Sequence, residues 1–174
     1  DTLTMLVNIP AGITTTPYQS DHENLPTGFT TNLANGWTVW TDNNNFPKWM
    51  TEVSDGTDNN SSGTGPTWDH TQFGTSGGKY LFLESSNATT GALSYVTSPC
   101  INLSGPDTPT VSFWYHMFGA AMGTLHFQIF NNNTWQTVWT VTGQQQTSSA
   151  AQWLNAAVSV PPTTKRIRFA GIAG

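Results

Sequence analysis

Charged side chains are scarce in this sequence, and basic ones are the scarcest. Asp, Glu, Lys and Arg make up 9% of the 174 residues, with five basic against ten acidic residues and a formal net charge of −5 at pH 7. So few cations cannot neutralise a run of phosphates, which excludes nucleic acid and anionic membranes as main partners. No apolar run approaches the roughly 18 residues that predict a membrane-spanning helix, so membrane insertion is not expected.

Cysteine is almost absent as well. Cys100 is the only one, which rules out an intramolecular disulfide and cysteine-based metal sites. No basic residue stands near it in the sequence to activate the thiol, so we expect a buried, unreactive side chain. The N-terminus lacks the basic start and cleavage site of a signal peptide, so any secretion signal has been removed or lies upstream.

Aromatic and uncharged polar residues take the place of the missing charges. The chain has 8 Trp, 9 Phe and 4 Tyr, and such side chains supply enough buried area to favour a folded domain over disorder. The length suits one domain. A cytosolic enzyme usually carries far more charge, so the composition predicts a secreted or cell-surface protein.

The local patterns are those of strands. Residues 124–130 alternate, with Leu125, Phe127 and Ile129 predicted to point inward, and 131–133 predicts a hairpin tip. Residues 110–118 carry large apolar groups on both faces, which predicts a central strand covered on both sides or one facing a ligand. Further strands are predicted at 36–41, 49–53, 79–84, 93–97, 135–141, 153–160 and 165–170. Many short antiparallel strands predict an all-β fold, an antiparallel jelly-roll β-sandwich.

Four motifs occur in a fixed order: GPTWDHT at 65–71, GKYLFLE at 78–84, Ser98–Pro99, and FWYHMFG at 113–119. In this combination the chain resembles the MAM domain family over residues 18–174, and specifically bacterial-type members that lack the animal disulfides. The resemblance implies a jelly-roll module without catalytic activity, found in extracellular and cell-surface proteins, that serves adhesion or protein association. We interpret residues 1–17 as a linker or a strand-donating segment.

The family usually ends with a further strand that carries an acidic motif, whereas this chain stops at Gly174. A sandwich without one strand exposes unpaired backbone groups beside a groove in the core. We therefore expect an added strand to pair there, supplied by residues 2–9 or by another chain. A truncated chain is the alternative interpretation.

The resemblance also implies a structural cation, because an early glutamate and the aspartate of the DHT loop resemble its ligands in this family. Here these are Glu23 and Asp69, and calcium, which takes six to eight oxygen ligands, is the predicted ion. Other oxygen donors stand in neighbouring loops: Asp42, Asp55, Asp58 and residues 43–45. The alternative is that Asp69 needs no metal and accepts hydrogen bonds from the backbone of its own loop.

No motif of a hydrolase, zinc protease or nucleotide-binding loop occurs, so the chain is not predicted to be an enzyme. Trp68 lies in the polar loop 54–78, where it either anchors the loop or forms a platform for a sugar ring. Lys165, Arg166 and Arg168 form the one basic cluster, interpreted as strand-edge charge that discourages aggregation.

Three functions follow from these features. The first is a non-catalytic extracellular adhesion or assembly module with a structural cation, whose partners are other protein chains or glycans. The second is a carbohydrate-binding module of a secreted enzyme. The third is a subunit of a surface filament in which strand donation or exchange links neighbouring chains.

Overall fold

The computed structural model of the chain describes residues 12–15, 17–42, 46–56, 63–105 and 108–174. This part of the chain contains nine strands, one short 3₁₀ helix (Ala34–Gly36) and no α-helix. In order, the strands are β1 (Thr38–Thr41), β2 (Lys48–Val53), β3 (Lys79–Glu84), β4 (Leu93–Thr97), β5 (Thr110–Tyr115), β6 (Thr124–Asn131), β7 (Thr134–Thr142), β8 (Leu154–Ser159) and β9 (Arg166–Ile172). Among the described residues, no helix has the length and apolar character needed to cross a membrane.

The strands form two layers. One layer is a five-stranded antiparallel sheet in the order β1-β4-β9-β6-β7, and the other consists of the antiparallel pairs β2–β3 and β5–β8. Both pairs cover the same face of the five-stranded sheet, as the core contacts show. The predicted antiparallel sandwich is therefore confirmed.

Two clusters of apolar side chains fill the space between the layers. In the first, Trp49 of β2 is buried with Val39 and Val96 of the five-stranded sheet. In the second, Phe113 of β5 packs on Phe127 and Phe169, with ring centroids 5.4 and 4.8 Å away. Burial of these large side chains is the main stabilising term for a chain with so few charges.

The β6–β7 hairpin confirms the alternation that the sequence predicts. Phe127 and Ile129 are buried, and Asn132 and Asn133 connect the two strands. Both asparagines have positive φ angles, of 50° and 59°. Asparagine tolerates this left-handed conformation, and a two-residue hairpin turn of this kind matches the twist of its strands.

Three expectations from the sequence are wrong. Cys100 is exposed rather than buried. Coverage of β5 on both faces, one of the two predictions for this strand, is wrong, because Trp114 is 47% exposed and in the described part β5 pairs with β8 alone; the alternative, a strand that faces a ligand, stays a prediction. The strand that carries Arg166 and Arg168 is not an edge strand, because β9 lies between β4 and β6 in the middle of the sheet.

Replacing Phe127 by alanine tests the contact between the two layers. Phe127 is 0% exposed and contacts both Phe113 and Phe169, so Phe127→Ala is expected to lower the free energy of unfolding by about 3–5 kcal/mol. Urea denaturation measures this loss. Val138→Ala, at a side chain that is 38% exposed on β7, is the control and should change stability by less than about 0.5 kcal/mol. Equal losses in the two variants would contradict the proposed packing.

Candidate functional site

The carboxylate of Asp69 organises the loop that carries the GPTWDHT motif. Asp69 is 0% exposed, and its Oδ2 accepts hydrogen bonds from the backbone N–H of Thr71 at 2.7 Å and of Gln72 at 3.0 Å. Its Oδ1 also accepts from Gln72, at 3.2 Å. These bonds close a turn of the Asx type. They satisfy part of the acceptor capacity of the carboxylate and leave further lone pairs.

The start of β3 brings the two predicted ligands to the same place. A side chain at Gly78 would collide with the Asp69 carboxylate, so glycine is required for this close approach. The next residue, Lys79, donates its backbone N–H to Oε1 of Glu23 at 3.3 Å. Glu23 and Asp69, 46 positions apart in the sequence, therefore lie beside the same dipeptide.

The same dipeptide also forms hydrogen bonds with Ser54, at the start of the polar loop. The carbonyl of Gly78 accepts from the backbone N–H and the hydroxyl of Ser54, at 2.8 and 3.1 Å. Lys79 Nζ donates to the carbonyl of Leu25 at 2.8 Å. These bonds join the two ends of the long loop 54–78, where β2 ends and β3 begins. A long loop in a small domain needs such a structural reason.

The donor chemistry fits calcium in part. Two carboxylates and the surrounding carbonyls are the hard oxygen ligands that calcium prefers, and a buried carboxylate gains from a nearby cation. Within the described ranges, however, no group of three or more His, Cys, Asp or Glu side chains is arranged around one point. Asp58 and residues 43–45, which were predicted as further donors, lie outside the described residues. Additional ligands in the described part would have to be backbone carbonyls, amide or hydroxyl oxygens.

Trp68 packs back onto its own loop. Its indole ring lies so close to Gly56 that a Cβ there would be 2.7 Å from Cη2, and Gly56 has a φ of +86° that also disfavours any other residue. The carbonyl of Trp68 accepts from Nε1 of Trp153 at 2.8 Å. This geometry favours the anchoring interpretation over the sugar platform.

A cavity of about 1510 Å³ lies between the layers. Its walls include residues of β3 and β5, and in the described part each of these strands has one hydrogen-bonded neighbour, β2 and β8 respectively. At the rim, Ile13 pairs with the segment before β5: its N–H donates to Cys100 and its carbonyl accepts from Asn102. The cavity is therefore bordered by two strands that each have one paired edge among the described strands.

His116 follows β5 and lines this cavity. Neither nitrogen of its ring has a hydrogen-bond partner among the residues that the structure describes, and the ring centroid lies 5.7 Å from that of Trp153. Burial lowers the pKa of the His116 imidazole to about 4, although the nearby backbone of Ala151 and Ser148 favours the protonated form. The side chain is therefore neutral at pH 7 and contributes no charge to the cavity wall.

Comparison with known proteins identifies a family that this chain matches. A family model described as "MAM domain, meprin/A5/mu" matches residues 27–174. Neuropilin-1 of Xenopus laevis is 32% identical over 108 residues, which cover 60% of this chain and 11% of that protein. The MAM domain-containing glycosylphosphatidylinositol anchor protein 1 of Gallus gallus is 34% identical over 116 residues, covering 64% and 12%. The chain thus spans only a small part of the length of these relatives.

Two solved structures share the fold. The K1 cleaved adhesin domain of Lys-gingipain from Porphyromonas gingivalis W83 superposes with a TM-score of 0.56, covering 88% of this chain and 86% of that one. The K2 cleaved adhesin domain of Lys-gingipain gives a TM-score of 0.50, with coverage of 78% of this chain and 80% of that one. Both are 14% identical to this chain, and at that level the likeness shows the fold alone.

The lowered pKa of His116 predicts a pH dependence of stability. The pKa is about 4 in the folded protein against 6.5 for the ordinary group, so the unfolded chain binds more protons between these values. The neutral His116 side chain therefore makes its full contribution to the free energy of unfolding above pH 6.5, and this contribution is lost as the pH falls towards 4. The loss amounts to about 1–2 kcal/mol, because solvent screens the half-buried ring.

Urea denaturation of the wild type and of His116→Gln over this pH range measures the effect. The difference in unfolding free energy between the two proteins should shrink as the pH falls, because the variant lacks the titrating ring. The carboxylates titrate in both proteins and cancel in this difference. Two parallel curves would contradict the assignment.

Proposed function

This chain belongs to the MAM domain family, and from that premise we propose that it is a non-catalytic extracellular adhesion or assembly module stabilised by a structural calcium ion. In relatives the MAM domain is an adhesion-type extracellular module. The observation that supports the calcium ion is the approach of Glu23 and Asp69 to the same dipeptide, Gly78–Lys79. A single ion there would cross-link the segment around Glu23, the motif loop and β3.

The absence of catalysis is supported by how the aromatic and histidine side chains of the motifs are used. His70 stacks on the ring of Trp114, 3.9 Å between centroids and 19° between planes. His116 packs beside Trp153 in its neutral form. Structural packing of this kind accounts for the histidines without a nucleophile or a base.

Calcium would stabilise the folded state by compensating the buried charge of Asp69. Asp69 is fully buried, and a buried carboxylate is costly unless hydrogen bonds or a cation compensate its charge. Backbone N–H groups supply part of that compensation, and the ion would supply the rest. An ion that binds only the folded state stabilises it by about 2.7 kcal/mol at a concentration one hundred times its Kd.

Thermal unfolding with and without calcium tests this proposal. Addition of calcium to protein treated with a chelator is expected to raise the Tm by about 5–10 °C, given the stabilisation above and a domain of this size. Asp69→Asn and Glu23→Gln should each abolish most of the calcium response. Glu84→Gln is the matched control, since Glu84 lies at the far end of β3 and bonds to Ser86. An unchanged Tm in the wild type would refute the calcium site.

The cavity supports a second candidate function, a subunit that receives a strand from a neighbouring copy. β3 and β5 line the cavity and each lacks one hydrogen-bonded neighbour among the described strands. Unpaired strand edges beside apolar side chains are the setting in which strand addition occurs. Residues 2–9, an apolar and β-branched stretch that lies outside the described residues, have the composition of a donor strand.

Light scattering of the full chain across a range of concentrations tests strand donation. We expect oligomers that persist on dilution, because a strand held by backbone hydrogen bonds and apolar contacts leaves slowly. A peptide with the sequence of residues 2–9 should compete and reduce the oligomers, whereas a scrambled peptide of the same composition should not. A chain that stays monomeric and ignores both peptides would argue against this candidate.

A further inference from the structure

The outer face of the five-stranded sheet carries a row of side chains with no role in the core. We call this set the outer row. Every strand of the sheet contributes to it: Trp40 of β1, Tyr95 of β4, Arg168 of β9, Gln128 of β6, and Trp135 with Thr137 of β7. The members touch in sequence across the sheet, so they form one continuous surface.

Arg168 is held at the centre of the outer row. Its guanidinium carbon lies 3.8 Å from the centre of the Tyr95 ring and 4.1 Å from that of Trp135. Its Nε donates to Oε1 of Gln128 at 2.6 Å, and Nε2 of Gln128 donates in turn to Thr137 at 2.8 Å. Contacts on three sides fix the orientation of the guanidinium, so it loses little further freedom on binding a ligand.

The charge of Arg168 has no partner among the described residues. The five strands of the sheet contain no Asp or Glu, although the chain has ten acidic residues. Within the described part of the chain, the one side-chain hydrogen bond of Arg168 uses Nε, and the N–H groups of both terminal nitrogens have no bond to these residues. A fixed guanidinium with free terminal N–H groups matches a carboxylate, which it binds with two parallel hydrogen bonds.

Trp40 extends the outer row at the edge strand. Its ring is 51% exposed and lies 5.3 Å from that of Tyr95. Trp40 lies in register with Ala170, two residues along β9 from Arg168, so the backbones of Trp40 and Arg168 are about 12 Å apart. Thr38, Thr97 and Thr140 lie on the same face of the sheet.

We propose that the outer row binds a glycan in which an acidic sugar stands among neutral ones, because a single fixed guanidinium on a chain of net charge −5 matches one carboxylate and not a polyanion. Arg168 would pair with the carboxylate of one sugar, and Trp40 would stack on the C–H face of another. The threonine and glutamine side chains suit the sugar hydroxyl groups. An acidic peptide is less favoured, because protein hot spots occupy desolvated pockets and this surface is open. The proposal does not depend on the calcium ion or on strand donation.

Calorimetric titration of the full chain with a β-linked glucose hexamer in which one sugar is replaced by glucuronic acid, called here the acid hexamer, tests the proposal. The acid hexamer should bind, and the matching neutral glucose hexamer should bind at least about tenfold more weakly, as expected for loss of a charged hydrogen-bonded pair. Arg168→Gln should cause a similar loss, and Arg168→Lys should not restore affinity because lysine lacks the planar fork. Trp40→Ala should also weaken binding.

Arg166→Gln is the matched control, since it removes the same charge from the same strand at a side chain that bonds to the carbonyl of Ser98. It should alter affinity by less than about threefold. Equal losses for Arg166→Gln and Arg168→Gln would reduce the effect to general electrostatics and overturn the proposal. So would failure of the acid hexamer to bind, or equal binding of hexaglutamate with the same dependence on Arg168. If Arg168→Gln fails to fold, an unchanged affinity in Trp40→Ala overturns the proposal.

Discussion

The contact of Phe113 with Phe127 and Phe169 is the constraint on which the rest of the structure depends. It joins the β5–β8 pair to the middle of the five-stranded sheet and so decides which face of that sheet is inside. Because side chains alternate along a strand, this choice also decides which side chains point outward. Arg168 faces solvent because Phe169 and Ile167, its neighbours on β9, face the core.

The second layer is less complete than the first. Its two pairs, β2–β3 and β5–β8, are held by separate apolar clusters, and the cavity lies where β3 and β5 face the interior. The Asp69 loop and the Gly78–Lys79 dipeptide hold the start of β3 beside this cavity. A calcium ion at that point and a strand in the cavity would therefore both stabilise the layer formed by β2–β3 and β5–β8.

The two faces of the five-stranded sheet serve different purposes. The inner face is apolar and contributes most of the stability. The outer face has aromatic, hydroxyl and guanidinium groups in a row that the core does not need. In a family whose members are built into larger extracellular proteins, a rigid sheet with one free face is a suitable scaffold for recognition, because the strands fix the positions of the side chains.

The sequence by itself determined the features that depend on neighbours in the chain. The strands, the alternation of Leu125, Phe127 and Ile129, the hairpin tip predicted at 131–133 and the family motifs all rest on local patterns. It also indicated Glu23 and Asp69, although only the family resemblance connected them. The tertiary structure alone decided that β9 is central, that Cys100 is exposed and that Arg168 stacks between two rings. Strand order and contacts between sheets join residues far apart in the chain, and no local pattern encodes which strands become neighbours.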